Sequence, residues 1–231
     1  MGKLSEEILK VRVAAEYACF TRPDLKVERM SYPCMTFSAA RGVLDSILWK
    51  PEFKWWVRRI KVLNRVKFIS IKRNELKSKC SGKPIIIEED RTQRTSVILY
   101  DVSYLIEASI YKDNFDANPH KKYETIFRDR VQKGQCYRRP YLGTREFSCE
   151  LFDNRDEKPI NETIPIGSMF YDMYYDGGGR AEPCYMYDAA IRNGVLEADN
   201  ALNEYLMQSS HIRAEHTQGV KHLLNSYSRE E

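Results

Sequence analysis

The sequence predicts an α+β protein, and three observations lead to that prediction. Several segments rich in β-branched and aromatic residues have the alternating or continuous apolar patterns of strands. Two other segments carry apolar residues at helical spacing and have capping residues at their ends. These segments follow one another in the order strand, helix, strands, strands, helix, strand. Turn residues interrupt the rest of the chain, which predicts short antiparallel strands there.

The first strand and the first helix lie near the start of the chain. The stretch 8–20 is β-rich and alternates in places, so we predict a strand there. The stretch 38–50 is predicted to be a helix, because Ser38 can cap it and Pro51 helps to end it. Its apolar residues fall on one stripe, as in a helix with one buried face; they are Ala40, Val43, Leu44, Ile47 and Leu48.

The central strands come next along the chain. Two strand-like runs, Trp55–Leu63 and Val66–Ile71, are dense in Arg and Lys. The stretch 91–112 predicts two further strands, separated near Asp101 and Val102. Four strand-like runs therefore stand between the two helical segments.

The second helix is predicted at 119–133, where the apolar residues again form one stripe. Asn118 is a suitable cap, and Gly134 suits the position just past the end. A last strand of this part is predicted at 141–147. Gly143 within it indicates a tight turn or a close approach of two backbones.

This order of elements matches the β-α-β-β-α-β plan of ferredoxin-like and RNA-recognition-motif folds. We therefore predict a ferredoxin-like domain at residues 1–147 and a smaller β-rich domain at 148–231. The second part contains a glycine-rich turn at 174–180, and its tail has a helical pattern from Asp199 onwards before it frays.

The charge of the chain is distributed unevenly between these two parts. Residues 1–147 contain 30 Lys and Arg against 18 Asp and Glu, a net of +12. Residues 148–231 contain 7 against 15, a net of −8, and the two sum to the overall +4. Basic charge concentrated in one half indicates a polyanionic partner, first of all a nucleic acid, although a solvated basic face would look the same.

The cysteines indicate thiols and not a metal site or a disulfide framework. None of the six forms a CxxC pair or has a histidine at metal-ligand spacing. Because we find neither a secretion signal nor an apolar run long enough to span a bilayer, we expect a cytoplasmic protein with no membrane partner. In that compartment the cysteines are expected to be reduced and mostly buried. We expect no metal and no cofactor.

The start of the second helix carries an unfavourable charge. His120, Lys121 and Lys122 occupy its first turn, where the helix dipole disfavours cations by about 0.3–1 kcal/mol each. A phosphate would offset this cost, because free N–H groups and the dipole at a helix start already bind anions. The alternative is an ordinary surface helix whose lysines reach outward into solvent.

Three stretches of the chain resemble one known family. They read "EYACFTRPDLKVERMSY", "SAARGVLDSILWKPEFKWWVRRIKVL" and "NPHKKYETIFRDRVQKGQCYRRPYLGTREF". Together they resemble a CRISPR-associated protein of the Cas-five family, type I-C (Dvulg) subtype. The resemblance runs in order through about residues 10–195. Its most specific marks are "WKP" and "KGQ", each after a helix, and the block "LGTREF".

The resemblance implies a fold and an activity. It implies a ferredoxin-like N-terminal domain, a smaller β-rich C-terminal part, and a metal-independent endoribonuclease. Such an enzyme cuts CRISPR repeat RNA (pre-crRNA) at the base of its hairpin and leaves a 5′-hydroxyl and a 2′,3′-cyclic phosphate. It then stays on the 5′ handle of the crRNA beside the other subunits of the type I-C surveillance complex.

The catalytic group that the resemblance implies is only partly present. The family's tyrosine before "WKP" is Leu48 here, and the histidine of its Lys-His pair is Lys122. The lysine matches at Lys121, and His120 stands one residue before it. We expect Lys121 to stabilise the transition state and His120 or Lys122 to replace the family's histidine. Replacements for the tyrosine that the sequence does not rank are Tyr123, Tyr137 and Tyr141.

The predicted RNA-binding residues are arginines and lysines of the basic part. The stretch 72–79 reads as a basic hairpin finger, and "YRR" at 137–139 sets an aromatic ring beside two guanidinium groups. Arg145 has an alternative role as a structural partner of Glu146. The full set is Arg41, Lys50, Arg58, Arg59, Lys72, Arg73, Arg138, Arg139 and Arg145.

Two other functions compete with an active nuclease. A non-cleaving, handle-binding subunit of the same complex is favoured by Leu48 and Lys122. An unrelated RNA-recognition-motif protein would carry aromatic signature residues on its central strands, and these are missing from the sequence.

Overall fold

A computed structural model describes residues 3–78, 82, 84–112, 119–153, 157–176, 178 and 180–209. Within these residues the fold is mixed α/β, with one seven-stranded sheet and one two-stranded hairpin. All paired strands run antiparallel.

The strands of the described residues are β1 Lys3–Leu4, β2 Leu9–Ala18, β3 Lys54–Val62, β4 Phe68–Leu76, β5 Arg91–Lys112, β6 Glu150–Phe152, β7 Ile164–Tyr175, β8 Ala181–Ile191 and β9 Val195–Glu197. Their helices are α1 Phe37–Ile47, the single turn α2 Ile87–Asp90, α3 Pro119–Gln132 and α4 Asn200–Met207. A short 3-10 helix, Pro23–Leu25, precedes α1.

The large sheet has the strand order β6-β2-β5-β3-β9, and β1 and β4 pair with the two ends of β5. Alternation along β2 buries Leu9, Val11 and Val13, which belong to the hydrophobic core. The helices α1 and α3 contact each other and pack against β3 and β2 respectively. The core therefore lies between this helical layer and one face of the sheet.

Strand β5 differs from the sequence prediction, because it is one strand of 22 residues and not two. At the predicted break, Asp101 has a φ of 54°. The Asn64 side-chain amide donates to both the carbonyl and the carboxylate oxygen of Asp101, each at 3.1 Å. The backbone therefore bends at Asp101 without ending the strand. Strand β4 pairs only with residues before the bend, and β3 only with residues after it.

Helix α1 begins one residue earlier than predicted and has a different cap. The Thr36 hydroxyl accepts a hydrogen bond from the Ala39 amide at 3.2 Å, so the prediction that Ser38 caps the helix is wrong. The helix ends at Ile47, with Leu48 as its C-terminal cap, well before Pro51.

Helix α3 agrees closely with the prediction. It runs over Pro119–Gln132, and Gly134 just beyond it has a φ of 62°. The predicted cap, Asn118, lies outside the described residues.

The stretch 141–147 is a turn, so the prediction of a strand there is wrong. Within it only Tyr141 forms a bridge, to Ser148, and β6 supplies the strand that pairs with β2. The prediction of a close backbone approach at Gly143 is confirmed. Gly143 has a φ of 86°, and a Cβ added to it would lie 1.9 Å from the carbonyl oxygen of Cys19.

The C-terminal residues form antiparallel strands, as predicted, but β7 has 12 residues and β8 has 11, so the prediction that the strands are short is wrong for these two. The carboxylate of Asp176 closes their turn by accepting from the amides of Gly178 at 2.9 Å and Arg180 at 2.7 Å. Helix α4 begins after Asp199, whose side chain caps it, which confirms the predicted helical start of the tail. The residues beyond 209 lie outside the described part.

Four of the five described cysteines are buried: Cys19, Cys34, Cys149 and Cys184. Burial raises the pKa of Cys34 and Cys149 to about 12, so their thiols stay protonated at neutral pH. Cys136 is exposed, and Cys80 lies outside the described residues. None of the described helices has the length and apolar character needed to cross a membrane.

Candidate nucleic-acid interface

The first turn of α3 presents its cations to solvent. Lys121 and Lys122 are exposed, and His120 is partly exposed, with its Nε2 atom 3.3 Å from the carbonyl oxygen of Lys3. No acidic residue of the described chain stands in this turn. The turn therefore combines the positive end of the helix dipole with three groups that can carry charge.

The buried face of α3 holds this turn in place. The ring of Tyr123 lies 5.1 Å from that of Phe53, and the ring of Phe127 lies 5.0 Å from that of Trp55. Because Phe53 and Trp55 belong to the core beside α1, these contacts fix α3 against the first helix and β3.

Glu124 is a titratable group that the sequence analysis missed. Its side chain is buried on the first turns of α3, and burial raises its pKa although Lys121 acts in the opposite direction. A carboxyl group that stays protonated to higher pH is a candidate proton donor. An i, i+3 spacing from Lys121 to Glu124 was the signal available in the sequence.

Leu48 is a core residue. It is fully buried, and its carbonyl oxygen accepts a hydrogen bond from the Trp55 indole at 3.0 Å. Of the tyrosines considered as replacements, Tyr123 is buried and Tyr137 is 87% exposed. Tyr141 lines both of the cavities described below.

The predicted RNA-binding residues fall into two groups. Five are exposed and have no ion-pair or hydrogen-bond partner among the described residues; these are Lys50, Lys72, Arg138, Arg139 and Arg145. The others already have partners within the chain. The second group is Arg41, Arg58, Arg59 and Arg73.

The partner of Arg41 is the buried carboxylate of Asp172 on β7. Two hydrogen bonds join them, from Nε at 2.5 Å and from NH2 at 2.7 Å. The neighbouring Asp45 carboxylate lies 3.4 Å from NH1. Arg41 is thus a bidentate tie between α1 and the β7–β8 hairpin.

The other partnered arginines lie on the large sheet. Arg58 donates to the Ser109 hydroxyl at 2.7 Å, and Arg59 lies 3.4 Å from the buried carboxylate of Glu107. Arg73 forms an ion pair with Glu146. The alternative pairing of Glu146 with Arg145 does not occur, since Glu146 faces Arg73 and the Arg145 side chain is exposed.

Strand β4 and the first part of β5 form a two-stranded hairpin, which we call the finger (residues 68–76 and 91–99). The exposed Lys72 lies on it, within the stretch predicted to be a basic finger. Lys79, at the end of that stretch, lies outside the described residues.

A cavity of about 550 Å³ opens between α1, β7, α4 and the loop at 138–145. Arg138, Tyr141 and Arg145 line it from the loop side. A smaller cavity of about 300 Å³ at the start of α1 shares Arg138 and Tyr141 with it. Neither cavity is lined by His120, Lys121 or Lys122. The described chain thus offers a cationic helix start and a separate basic-rimmed cavity.

Comparisons with known proteins identify relatives over nearly the whole chain. A protein of Thermus thermophilus named CRISPR pre-crRNA endoribonuclease Cas5d is 39% identical over 224 residues, which cover 89% of this chain and 98% of that protein. A protein of the same name from Mannheimia succiniciproducens is 36% identical over 214 residues, covering 82% and 93%.

Solved structures share the fold. A crystal structure of a CRISPR-associated protein superposes with a TM-score of 0.64 at 24% identity, covering 86% of this chain and 94% of that one. A functionally uncharacterized protein from Streptococcus mutans superposes with a TM-score of 0.61 at 22% identity, covering 84% and 92%.

The family model Cas_Cas5d, described as CRISPR-associated protein (Cas_Cas5), matches residues 8–194. That range includes helix α1, which lines both cavities, and the whole of α3 and of the β7–β8 hairpin. Because the match spans most of the chain and the two relatives exceed one third identity, this chain belongs to the Cas5d (type I-C) family of CRISPR-associated proteins.

Proposed function

We propose that this chain is an endoribonuclease that cuts CRISPR repeat RNA at the base of its hairpin. The observation that carries the proposal is the exposed cationic first turn of α3, on a chain that is 39% and 36% identical to proteins named CRISPR pre-crRNA endoribonuclease. After cleavage the chain stays on the 5′ handle of the crRNA as a subunit of the surveillance complex.

We propose that residues 1–147 act as a ferredoxin-like RNA-binding and catalytic domain. The sheet order supports this plan. In chain order, β2, β3, β5 and β6 correspond to the first, second, third and fourth strands of a β-α-β-β-α-β unit whose helices are α1 and α3. Side by side in the sheet, these strands lie in the order fourth, first, third, second. Residues 148–231 are proposed as a smaller domain. Strands β6 and β9 of that part pair with the large sheet, so the fourth strand of the ferredoxin-like plan lies just past the proposed boundary and the two parts share this sheet.

The proposed cleavage needs no metal. The 2′-oxygen attacks the adjacent phosphorus, the bond from phosphorus to the 5′-oxygen breaks, and a 2′,3′-cyclic phosphate and a 5′-hydroxyl result. Lys121 stabilises the charge that develops on the phosphorane. His120 or Lys122 takes the proton from the 2′-hydroxyl or returns one to the 5′-oxygen.

The exposed cations are proposed to hold the RNA. Lys50, Lys72, Arg138, Arg139 and Arg145 need no internal partner to be broken before they bind phosphate. Arg41, Arg58, Arg59 and Arg73 remain in the proposed interface as residues that support it, because each already has a partner within the chain.

The test is cleavage of the cognate repeat hairpin in EDTA by the wild type and by His120→Ala, Lys121→Ala and Lys122→Ala. We expect wild-type cleavage to persist in EDTA and Lys121→Ala to lose about 10²–10⁴-fold in rate at unchanged RNA affinity. Lys133→Ala is the matched control, because this exposed lysine lies just past the opposite, C-terminal end of the same helix. The proposal is contradicted if EDTA stops cleavage by the wild type. It is also contradicted if all three variants keep the full cleavage rate.

A non-cleaving handle-binding subunit is the second candidate function. The observation that favours it is the fully buried Leu48, a side chain that cannot transfer a proton and that stands where the family resemblance implies a tyrosine. Tight binding of the repeat by the wild type without any cleavage would establish this second function. The α3 start would then serve as a phosphate clamp alone.

A further inference from the structure

The larger cavity has a feature that the packing of the chain does not explain. Gly42 lies in the middle of α1 and lines both cavities. A Cβ added to it would meet no atom within 4 Å. Glycine inside a helix is less favourable than alanine, so Gly42 does not favour the helix by its own propensity. Here no neighbouring residue needs the space, so the glycine keeps the floor of the cavity open.

The walls of the cavity suit a flat, uncharged group. Trp49, Tyr141 and Tyr175 contribute aromatic side chains to the lining. The floor includes the stacked rings of Phe37 and Tyr171, 4.6 Å apart. Aromatic walls bind unpaired bases by stacking, whatever the sequence of the nucleic acid.

The charges inside the cavity are already compensated. Arg41 forms two hydrogen bonds to Asp172, and the ammonium group of Lys54 donates to the carbonyl oxygens of Met207 and Ser209. A phosphate placed inside would have to compete with these partners. The interior therefore favours a neutral heterocycle over an anion.

The mouth of the cavity has the opposite character. Arg138 and Arg145 line it, are exposed, and have no ion-pair or hydrogen-bond partner among the described residues. Two free guanidinium groups at the rim of a neutral cavity match a nucleotide whose phosphates stay outside while its base enters.

We propose that this cavity captures one unpaired base of the bound RNA, with the flanking phosphates on Arg138 and Arg145. The proposal rests on the proposed RNA-binding function and adds a site to it, distinct from the α3 start. The volume of about 550 Å³ lies within the range of pockets for small organic ligands, so one base with its ribose can be accommodated.

The test uses a fluorescent RNA hexamer of adenosines with one 2-aminopurine, whose emission falls when the base stacks on an aromatic ring. The same hexamer with an abasic residue at that position separates base capture from phosphate binding. Gly42→Leu is designed to fill the cavity from its floor, and Gly42→Ala fills it less. Both replace glycine by a better helix former, so the melting temperature should be equal to or higher than that of the wild type.

We expect quenching on binding to the wild type and about tenfold weaker binding of the abasic hexamer. Gly42→Leu should lose the quenching and bind both hexamers equally, while Arg138→Ala should weaken both. Arg180→Ala is the control for loss of one exposed arginine, because Arg180 lies at the β7–β8 turn away from the cavity.

The outcomes separate this proposal from the proposed function. If the wild type cuts the repeat but binds the abasic hexamer as tightly as the intact one, the base pocket is wrong and the nuclease stands. If Gly42→Leu keeps full quenching, the base stacks elsewhere and the proposal is overturned. Failure of the wild type to bind or cut the repeat overturns the proposed function itself.

Discussion

Two glycines of this chain have opposite physical explanations. Gly143 has a left-handed backbone and touches the Cys19 carbonyl, so the fold itself requires it. Gly42 has an ordinary helical backbone and empty space around it, so the fold does not. The sequence indicated a tight turn or a close backbone approach at Gly143 but gave no reason for Gly42, because an empty volume depends on elements far apart in the chain.

Gly143→Ala is expected to destabilise the protein strongly. The added methyl would overlap the Cys19 carbonyl, and the positive φ is unfavourable for any L-residue, so we expect a loss of at least about 3 kcal/mol. Gly134→Ala is the matched control, with a positive φ but no atom within 4 Å, and should cost about 1–2 kcal/mol. Urea unfolding measures both. Equal losses would show that the Cys19 contact is unimportant.

The candidate site was also only partly predictable residue by residue. The positions of His120, Lys121 and Lys122 follow from one local helical pattern, which the structure contains. The partner of Arg41 could not be predicted, because Asp172 is 131 residues away and reaches it only through the packing of β7 on α1. Local patterns thus indicate which cations exist, and tertiary packing decides which of them remain free.

At the scale of elements, the sequence predicts where the helices lie but predicts their boundaries less well. Thr36 and Ser38 are both good capping residues, and the choice between them depends on the direction in which the chain enters α1. The sequence predicts two strands separated near Asp101 and Val102, where the structure has the single strand β5. The hydrogen bonds from Asn64 satisfy Asp101 within the strand, and no local pattern reveals them.

The two possible caps of α1 give a direct comparison. Thr36→Ala removes the acceptor for the Ala39 amide and should cost about 1 kcal/mol of stability. Ser38→Ala should cost much less, because that hydroxyl does not cap the helix and the residue lines both cavities instead. Thermal or urea unfolding of the two variants measures the difference. A larger loss for Ser38→Ala would contradict the observed cap.

At the scale of the whole molecule, some of the charges of the basic part form ion pairs with the opposite charges of the acidic part. Among the described residues, arginines of the basic part pair with carboxylates of the acidic part at four places. These pairs are Arg12–Glu157, Arg41–Asp172, Arg59–Glu197 and Arg65–Glu162. The sequence predicted the charge asymmetry but not this internal pairing. The surface offered to RNA is therefore less basic than the net charge of residues 1–147 implies.

Salt dependence of RNA binding measures how many cations remain available. The logarithm of affinity should fall with the logarithm of salt concentration by about 0.7 for each phosphate neutralised on single-stranded RNA. Lys72→Ala should reduce this slope by about the contribution of one phosphate, since Lys72 is exposed and unpaired among the described residues. Arg12→Ala should leave it nearly unchanged, because Arg12 already pairs with Glu157 at 2.5 Å. Equal changes would contradict this division of the cations.

The long strand β5 also makes the reach of the finger adjustable. Residues 91–96 of β5 pair their backbones only with residues 71–76 of β4. Further along the chain, β5 continues through Asp101 into the centre of the sheet, where it pairs with β2 and β3. Removing two residues from each arm would shorten the finger by about 7 Å and leave every remaining side chain on its original face. Changes of this kind leave the core register untouched. Natural selection or protein engineering can therefore change the length of the finger without changing the domain that carries it.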